Sequence, residues 1–174
     1  METLYLTADR VGIQSGGGIV TRQEYEALKS ISEICYLWDY DVLNRYAFYE
    51  DPWKWDQQAA WVLKNSPGFK PKICHVYAGT FTESISILKE RGCKITYTAA
   101  AHDIEISKKS HESLGLQFNY PHLTDPKLWE RYLKGYLLAD VLICPSNISA
   151  RIKKNYGYKG RIEIIPHGVD ISTA

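Results

Sequence analysis

Short apolar and β-branched runs alternate along the chain with stretches in which apolar residues recur every three or four positions. The first pattern marks strands and the second amphipathic helices, and their alternation is the mark of βαβ units. Strands are predicted at Leu4 to Ala8, Ile34 to Trp38, Ile73 to Tyr77, Cys93 to Thr98, Val141 to Cys144 and Arg161 to Ile165. Helices are predicted from about Ile19, with Val20, Ala27, Leu28 and Ile31 on its buried face, and around Trp55, Ala59, Val62 and Leu63. A third carries Phe81, Ile85 and Leu88 behind a Thr80/Glu83 capping box and stops at Gly92. A polar helix from about Asp103 to Leu114 is followed by one that Asp125 caps and Pro126 opens, with Trp129, Tyr132, Leu133 and Tyr136 sharing a face. The last begins at Ser146, carries Ile148 and Ile152, and stops at Gly157. The expected fold is a Rossmann-like, doubly wound α/β domain, with a mostly parallel sheet and helices on both faces.

A chain of 174 residues is the size of one such domain, large enough to bury roughly two-thirds of its unfolded surface without disulfides or metals. Composition is ordinary for a globular protein, at 45% hydrophobic and 24% charged residues. The formal charge of +1 lacks the positive field that nucleic-acid binding needs, so DNA and RNA are not expected partners. No apolar run is long enough to cross a bilayer, and the start Met1-Glu2-Thr3 lacks the features of a signal peptide, which points to the cytoplasm. Cys35, Cys74, Cys93 and Cys144 fall in or beside predicted strands without a C-x-x-C pair and read as reduced core thiols.

Candidate chemistry gathers where strands end, because open α/β sheets bind ligands outside the carboxyl ends of their strands. Gly16, Gly17 and Gly18 lie between the first strand and the first helix, where free amides and a helix N-terminus can meet a phosphate. A plain flexible turn is the alternative there. His102 and Asp103 follow the fourth strand and face the same crevice, although a histidine there also suits a helix cap. Ser146 reads as a cap, since no G-x-S-x-G sequence supports a serine nucleophile. His75, His111, His122 and His167 show no zinc-ligand spacing, and no metal is expected. Nine aromatics from Tyr36 to Trp61 suit a sugar or lipid-linked ligand, or pin an irregular segment to the core. Lys108, Lys109, Lys153 and Lys154 offer slight contact with an anionic membrane face or form a solvated surface.

Three segments in order carry a resemblance: Ser15-Gly16-Gly17-Gly18-Ile19-Val20, then His102-Asp103, then Ala139 to Ser146 running on to Ile164-Ile165-Pro166-His167-Gly168-Val169-Asp170. Together they resemble the GT-B glycosyltransferases of family 4, and the resemblance covers essentially the whole chain as the family's N-terminal, acceptor-side half. It implies a retaining, metal-independent transfer of a hexose from a nucleotide-sugar to a glycan, lipid or small-molecule acceptor, with no cofactor beyond that co-substrate. By the same resemblance Gly16 to Gly18 approach the donor diphosphate, His102 faces the transferred sugar as the catalytic residue, and Asp103, Ser146 and Gly168 lie toward the substrates. Two features depart from the family. His167 stands where asparagine is usual, and the paired-glutamate donor motif and the donor-binding half are absent from the sequence, so transfer is expected only with a donor-binding domain or subunit. The alternative is a stand-alone glycan- or partner-binding module. A nicotinamide or flavin enzyme would need a G-x-G-x-x-G loop, which is missing, although Asp39 or Asp41 could supply its acidic residue.

Overall fold

The computed structural model describes residues 1–12, 16–43, 54–77, 81–99, 104–117 and 125–166. Six strands form one wholly parallel sheet: β1 (Glu2–Thr7), β2 (Ile34–Trp38), β3 (Ile73–Tyr77), β4 (Lys94–Thr98), β5 (Val141–Cys144) and β6 (Arg161–Ile164), in the order β2-β1-β3-β4-β5-β6. Among the described residues the helices are α1 (Gly16–Ile31), α2 (Tyr40–Leu43), α3 (Lys54–Asn65), α4 (Glu83–Glu90), α5 (Ile104–Ser113), α6 (Pro126–Leu138) and α7 (Asn147–Asn155). The chain leaves β1 toward β2 and returns past β1 to β3. Right-handed crossovers therefore put α1 on one face and the helices of the later units on the other. None of the described helices is long and apolar enough to cross a membrane.

The two faces of the sheet differ in chemistry because strand side chains alternate. Leu4, Leu6, Cys74, Val76, Ile95, Tyr97, Leu142 and Cys144 point into one apolar core with Trp55, Ala59 and Leu63 of α3, Ile85 and Leu88 of α4, and Tyr136 of α6. Of the four cysteines, Cys74, Cys93 and Cys144 are buried and Cys35 half-buried, all as free thiols. Burial pushes the Cys74 and Cys144 thiols up and the Cys93 thiol to about 12, which keeps them protonated. The opposite parity, Thr3, Tyr5, His75, Thr96 and Thr98, faces α1 and is polar.

One carboxylate joins three helices on the apolar side. Asp56 on α3 has no exposed side-chain surface. Its Oδ2 accepts from the Thr82 and Glu83 amides at 3.0 and 2.9 Å, from the Thr82 hydroxyl at 3.1 Å and from Arg131 of α6 at 2.7 Å. Its Oδ1 accepts from the Ser84 amide at 2.9 Å and the Ser84 hydroxyl at 2.7 Å. The amide donors are the orphan N–H groups of the first turn of α4, where a negative charge is favoured. Beyond the other end of α4, Arg91 donates to the carbonyls of Leu63, Ser66 and Phe69 at the end of α3. Helices α3 and α4 are thus tied at both ends.

Four expectations are corrected at this level. The expected Thr80/Glu83 capping box is not the device that starts α4: the helix opens at Glu83 behind Thr82, whose side chain makes no cap bond to the helix, and Asp56 caps it from another helix. Thr80 itself lies outside the described residues. The inward face of α1 is not apolar, since Ile31 and Ala27 are exposed while Thr21 is buried and Glu24 faces the sheet. On α7 the buried face is Ser149, Ala150 and Lys153, with Ile148 exposed. Lys153, expected at the surface, is buried with its Nζ 4.2 Å from the Tyr136 ring centroid, a cation–π contact that compensates part of its desolvation. The caps at Asp125 and Ser146 form as expected, accepting from Lys127 N at 2.8 Å and Ser149 N at 3.1 Å. Gly92 and Gly157 end α4 and α7 with φ of 82° and 93°.

Removing the Asp56 carboxylate breaks the ion pair with Arg131 and leaves the first-turn amides of α4 without their acceptor. Asp56→Ala is expected to cost about 3–5 kcal/mol in urea unfolding. Asp56→Asn, which keeps one carbonyl acceptor, should cost less, and equal stability of wild type and Asp56→Ala would refute the role given to this residue.

Candidate functional site

Strand order reverses between β1 and β3, and it is at such a switch point, outside the carboxyl ends of the strands, that open α/β sheets take ligands. Thr7, Tyr77, Thr98 and Ile143 stand level across β1, β3, β4 and β5, so the segments that follow these strands emerge together. Into this edge come the residues after β1 and the start of α1.

The glycines form the first turn of α1 and not a loop before it, a correction to the expected helix start at Ile19. A methyl group on Gly17 would lie 3.0 Å from Oδ2 of Asp9 and 3.9 Å from the Tyr77 hydroxyl. A side chain at Gly17 would therefore have to displace the Asp9 carboxylate by a few tenths of an ångström. Gly12 N donates to Gly18 O at 3.1 Å and joins the loop to α1, and within the helix the Thr21 hydroxyl donates to the same carbonyl at 3.0 Å. The loop is tethered sideways as well. Asp39 is buried, caps α2 through the Asp41 and Val42 amides, and accepts from Val11 N at 3.4 Å, while Arg10 pairs with Asp41 at 2.9 Å. Both acidic residues at the end of β2 are thus engaged within the chain.

Below this edge a polar cluster is closed between α1 and the sheet. Glu24 accepts from the Tyr5 hydroxyl at 2.8 Å and the Thr98 hydroxyl at 2.7 Å, and lies 3.2 Å from His75 Nε2. His75 Nδ1 is 2.7 Å from the Thr96 hydroxyl, and its ring stacks on Tyr5 at 5.4 Å. Burial alone would raise the Glu24 carboxyl, but the hydrogen bond and charge of His75 and the Thr98 and Tyr5 hydroxyls outweigh it and hold the group below its ordinary value. Burial raises the Tyr5 and Tyr77 hydroxyls, helped by Glu24 at both and by Asp9. Both phenols stay protonated at neutral pH.

Of the residues singled out in the sequence, Gly17 and Gly18 lie at this edge, and Ser146 lies at the same end of the sheet after β5, as the cap of α7. Gly16 opens α1. His102, Asp103 and Gly168 lie outside the described residues. Asp9, Tyr77, Glu24 and His75 escaped the sequence reading. Asp9 and Tyr77 carried a usable signal, since each stands where a predicted strand ends. Among the described residues no three His, Cys, Asp or Glu side chains gather as metal ligands.

The family model described as Glycosyltransferase Family 4 matches residues 22–173, from the second turn of α1 through β6 and beyond, and leaves the glycine turn outside the match. No curated protein matches the chain.

Because the folded state holds Glu24 below its ordinary value, the cluster stabilises the fold above the unfolded-state pKa of about 4.3, and that stability is lost as pH falls through the folded value. Glu24→Gln is expected to cost about 1–3 kcal/mol at neutral pH and to flatten the acid limb of a plot of urea midpoint against pH. An unchanged acid limb would show that Glu24 does not carry it.

Proposed function

The chain belongs to glycosyltransferase family 4, and on that premise we propose that it is the acceptor-side half of a retaining, metal-independent hexosyltransferase of the GT-B type. In this reading the carboxyl edge of the sheet is one wall of a cleft, and a second Rossmann-like half, in the same polypeptide or a separate subunit, holds the nucleotide-sugar on the other. The family match across 22–173 is the observation that carries it. The switch point between β1 and β3 supports it by offering a crevice at the edge where α/β sheets take ligands.

The roles rest on the family pattern. The first turn of α1, Gly16 to Gly18, faces the donor diphosphate with its amides, and His102 faces the transferred sugar. Asp103, Ser146 and Gly168 border the substrates. The carboxylate of Asp9 beside Gly17 offsets part of the positive end of α1. The departing diphosphate therefore needs cationic donors from the opposite wall, since its stabilisation depends on charges already in place when the bond breaks. This is why one half by itself is not expected to turn over. The acceptor is a glycan, a lipid-linked sugar or a small molecule, and the protein works in the cytoplasm or at the inner membrane face.

The test joins this half to its donor-binding half and offers nucleotide-hexoses with glycan and glycolipid acceptors. Transfer with retention of the anomeric configuration, unchanged by EDTA, is expected. His102→Ala should lower kcat by about 10²- to 10³-fold with little change in donor affinity. Inversion at the anomeric carbon or a metal requirement would overturn the mechanism. Binding of acceptor without any transfer would favour a non-catalytic module.

A further inference from the structure

A cavity of about 290 Å³ lies between the start of α4 and one face of α6, lined by Thr82, Lys127, Glu130, Arg131 and Lys134. That is close to the lower size of small-molecule sites, roughly 300 Å³. Lys127, Arg131 and Lys134 recur at the i, i+4, i+7 spacing of a single helical face, so the cavity is basic along its length. Arg131 is held in place by its 2.7 Å bond to the buried Asp56, whose carboxylate answers that charge. The lysines are different. Lys29, Lys64, Lys89 and Lys94 pair with carboxylates elsewhere in the fold. Lys127 and Lys134 are exposed and make no ion pair among the described residues, although Glu130 stands three and four residues from them on the same helix.

Two lysines without carboxylate partners suit an anion, and the other polar groups suit hydroxyls. Glu130 is an acceptor, and Thr82, whose hydroxyl proton goes to Asp56, keeps its lone pairs as acceptors. Among the described residues every side chain that lines the cavity is polar or charged, which suits a hydroxylated anion. Thr82 belongs to the segment that follows β3, which puts that end of the cavity on the carboxyl side of the sheet.

We propose that this cavity binds a phosphorylated sugar or polyol, with Lys127 and Lys134 on the phosphate and Glu130 and Thr82 on ligand hydroxyls. The inference rests on the acceptor-side reading above in one respect, that the bound molecule is the acceptor or part of it. The ligand chemistry is shared by a soluble sugar phosphate and by a phosphoinositide headgroup.

The full chain titrated with glucose 6-phosphate, glucose and inorganic phosphate, followed by amide NMR, tests it. Glucose 6-phosphate is expected to bind more tightly than either comparator and to move the amides of Thr82 and Lys127 to Lys134. Lys127→Ala/Lys134→Ala should weaken it at least about tenfold, the loss of two charge-assisted contacts, whereas Lys108→Ala/Lys109→Ala on the exposed side of α5 should not. Phosphatidylcholine vesicles with and without phosphatidylinositol phosphate separate the sources: lysine-dependent binding to the former assigns the headgroup, and binding in solution alone assigns the soluble compound. Equal affinity for glucose 6-phosphate and inorganic phosphate, or affinity unmoved by the lysine substitutions, would overturn the proposal. The two readings fail separately. Lysine-dependent binding with no transfer by the completed enzyme supports the cavity while removing its acceptor role, and transfer indifferent to both lysines removes the cavity while leaving the family reading intact.

Discussion

A carboxylate with no route to water organises the apolar half of this domain. Asp56 projects from α3, fills the first-turn hydrogen bonds of α4 and fixes the guanidinium of Arg131 on α6. Burying a charge costs several kcal/mol unless it is paired and fully hydrogen-bonded. Here six donors satisfy it. Those bonds tie α3 to the start of α4 and to the middle of α6 through one side chain. The basic cavity between α4 and α6 is a by-product of the same constraint, because Arg131 carries the face of α6 toward the start of α4.

The other face is held differently. Under α1 the sheet presents Thr, Tyr and His in place of aliphatic residues, and Glu24 gathers them into one closed set of hydrogen bonds. A network of this kind is stabilising only while every member is satisfied, which fixes the rotation of α1 about its axis. That rotation brings Gly17 against Asp9 and Tyr77 at the carboxyl edge.

All six strands were legible in the sequence, three of them to the residue, because buried parallel strands are short, apolar and bounded by turn residues. The caps at Asp125 and Ser146 were legible for a similar reason, being local in the chain. What escaped is long-range. The cap of α4 comes from a residue 26 positions earlier, and hydropathy periodicity sought an apolar stripe on α1 where the contacting face is polar. Lys153 was read as solvated because a buried lysine over a tyrosine ring has no sequence signature. The glycines, expected in a loop before α1, form its first turn, and the closeness of Gly17 to Asp9 shows only in the fold.

On the proposed function, ligands meet this domain at the carboxyl edge of its sheet. Hydrogen exchange of the full chain, with and without a saturating panel of nucleotide-sugars and glycan acceptors, tests that most directly. Added protection confined to the first turn of α1, the segments following β1, β3, β4 and β5, and the first turns of α6 is the expected result. Protection at the opposite edge, around the starts of the strands and the ends of α1 and α6, would contradict it.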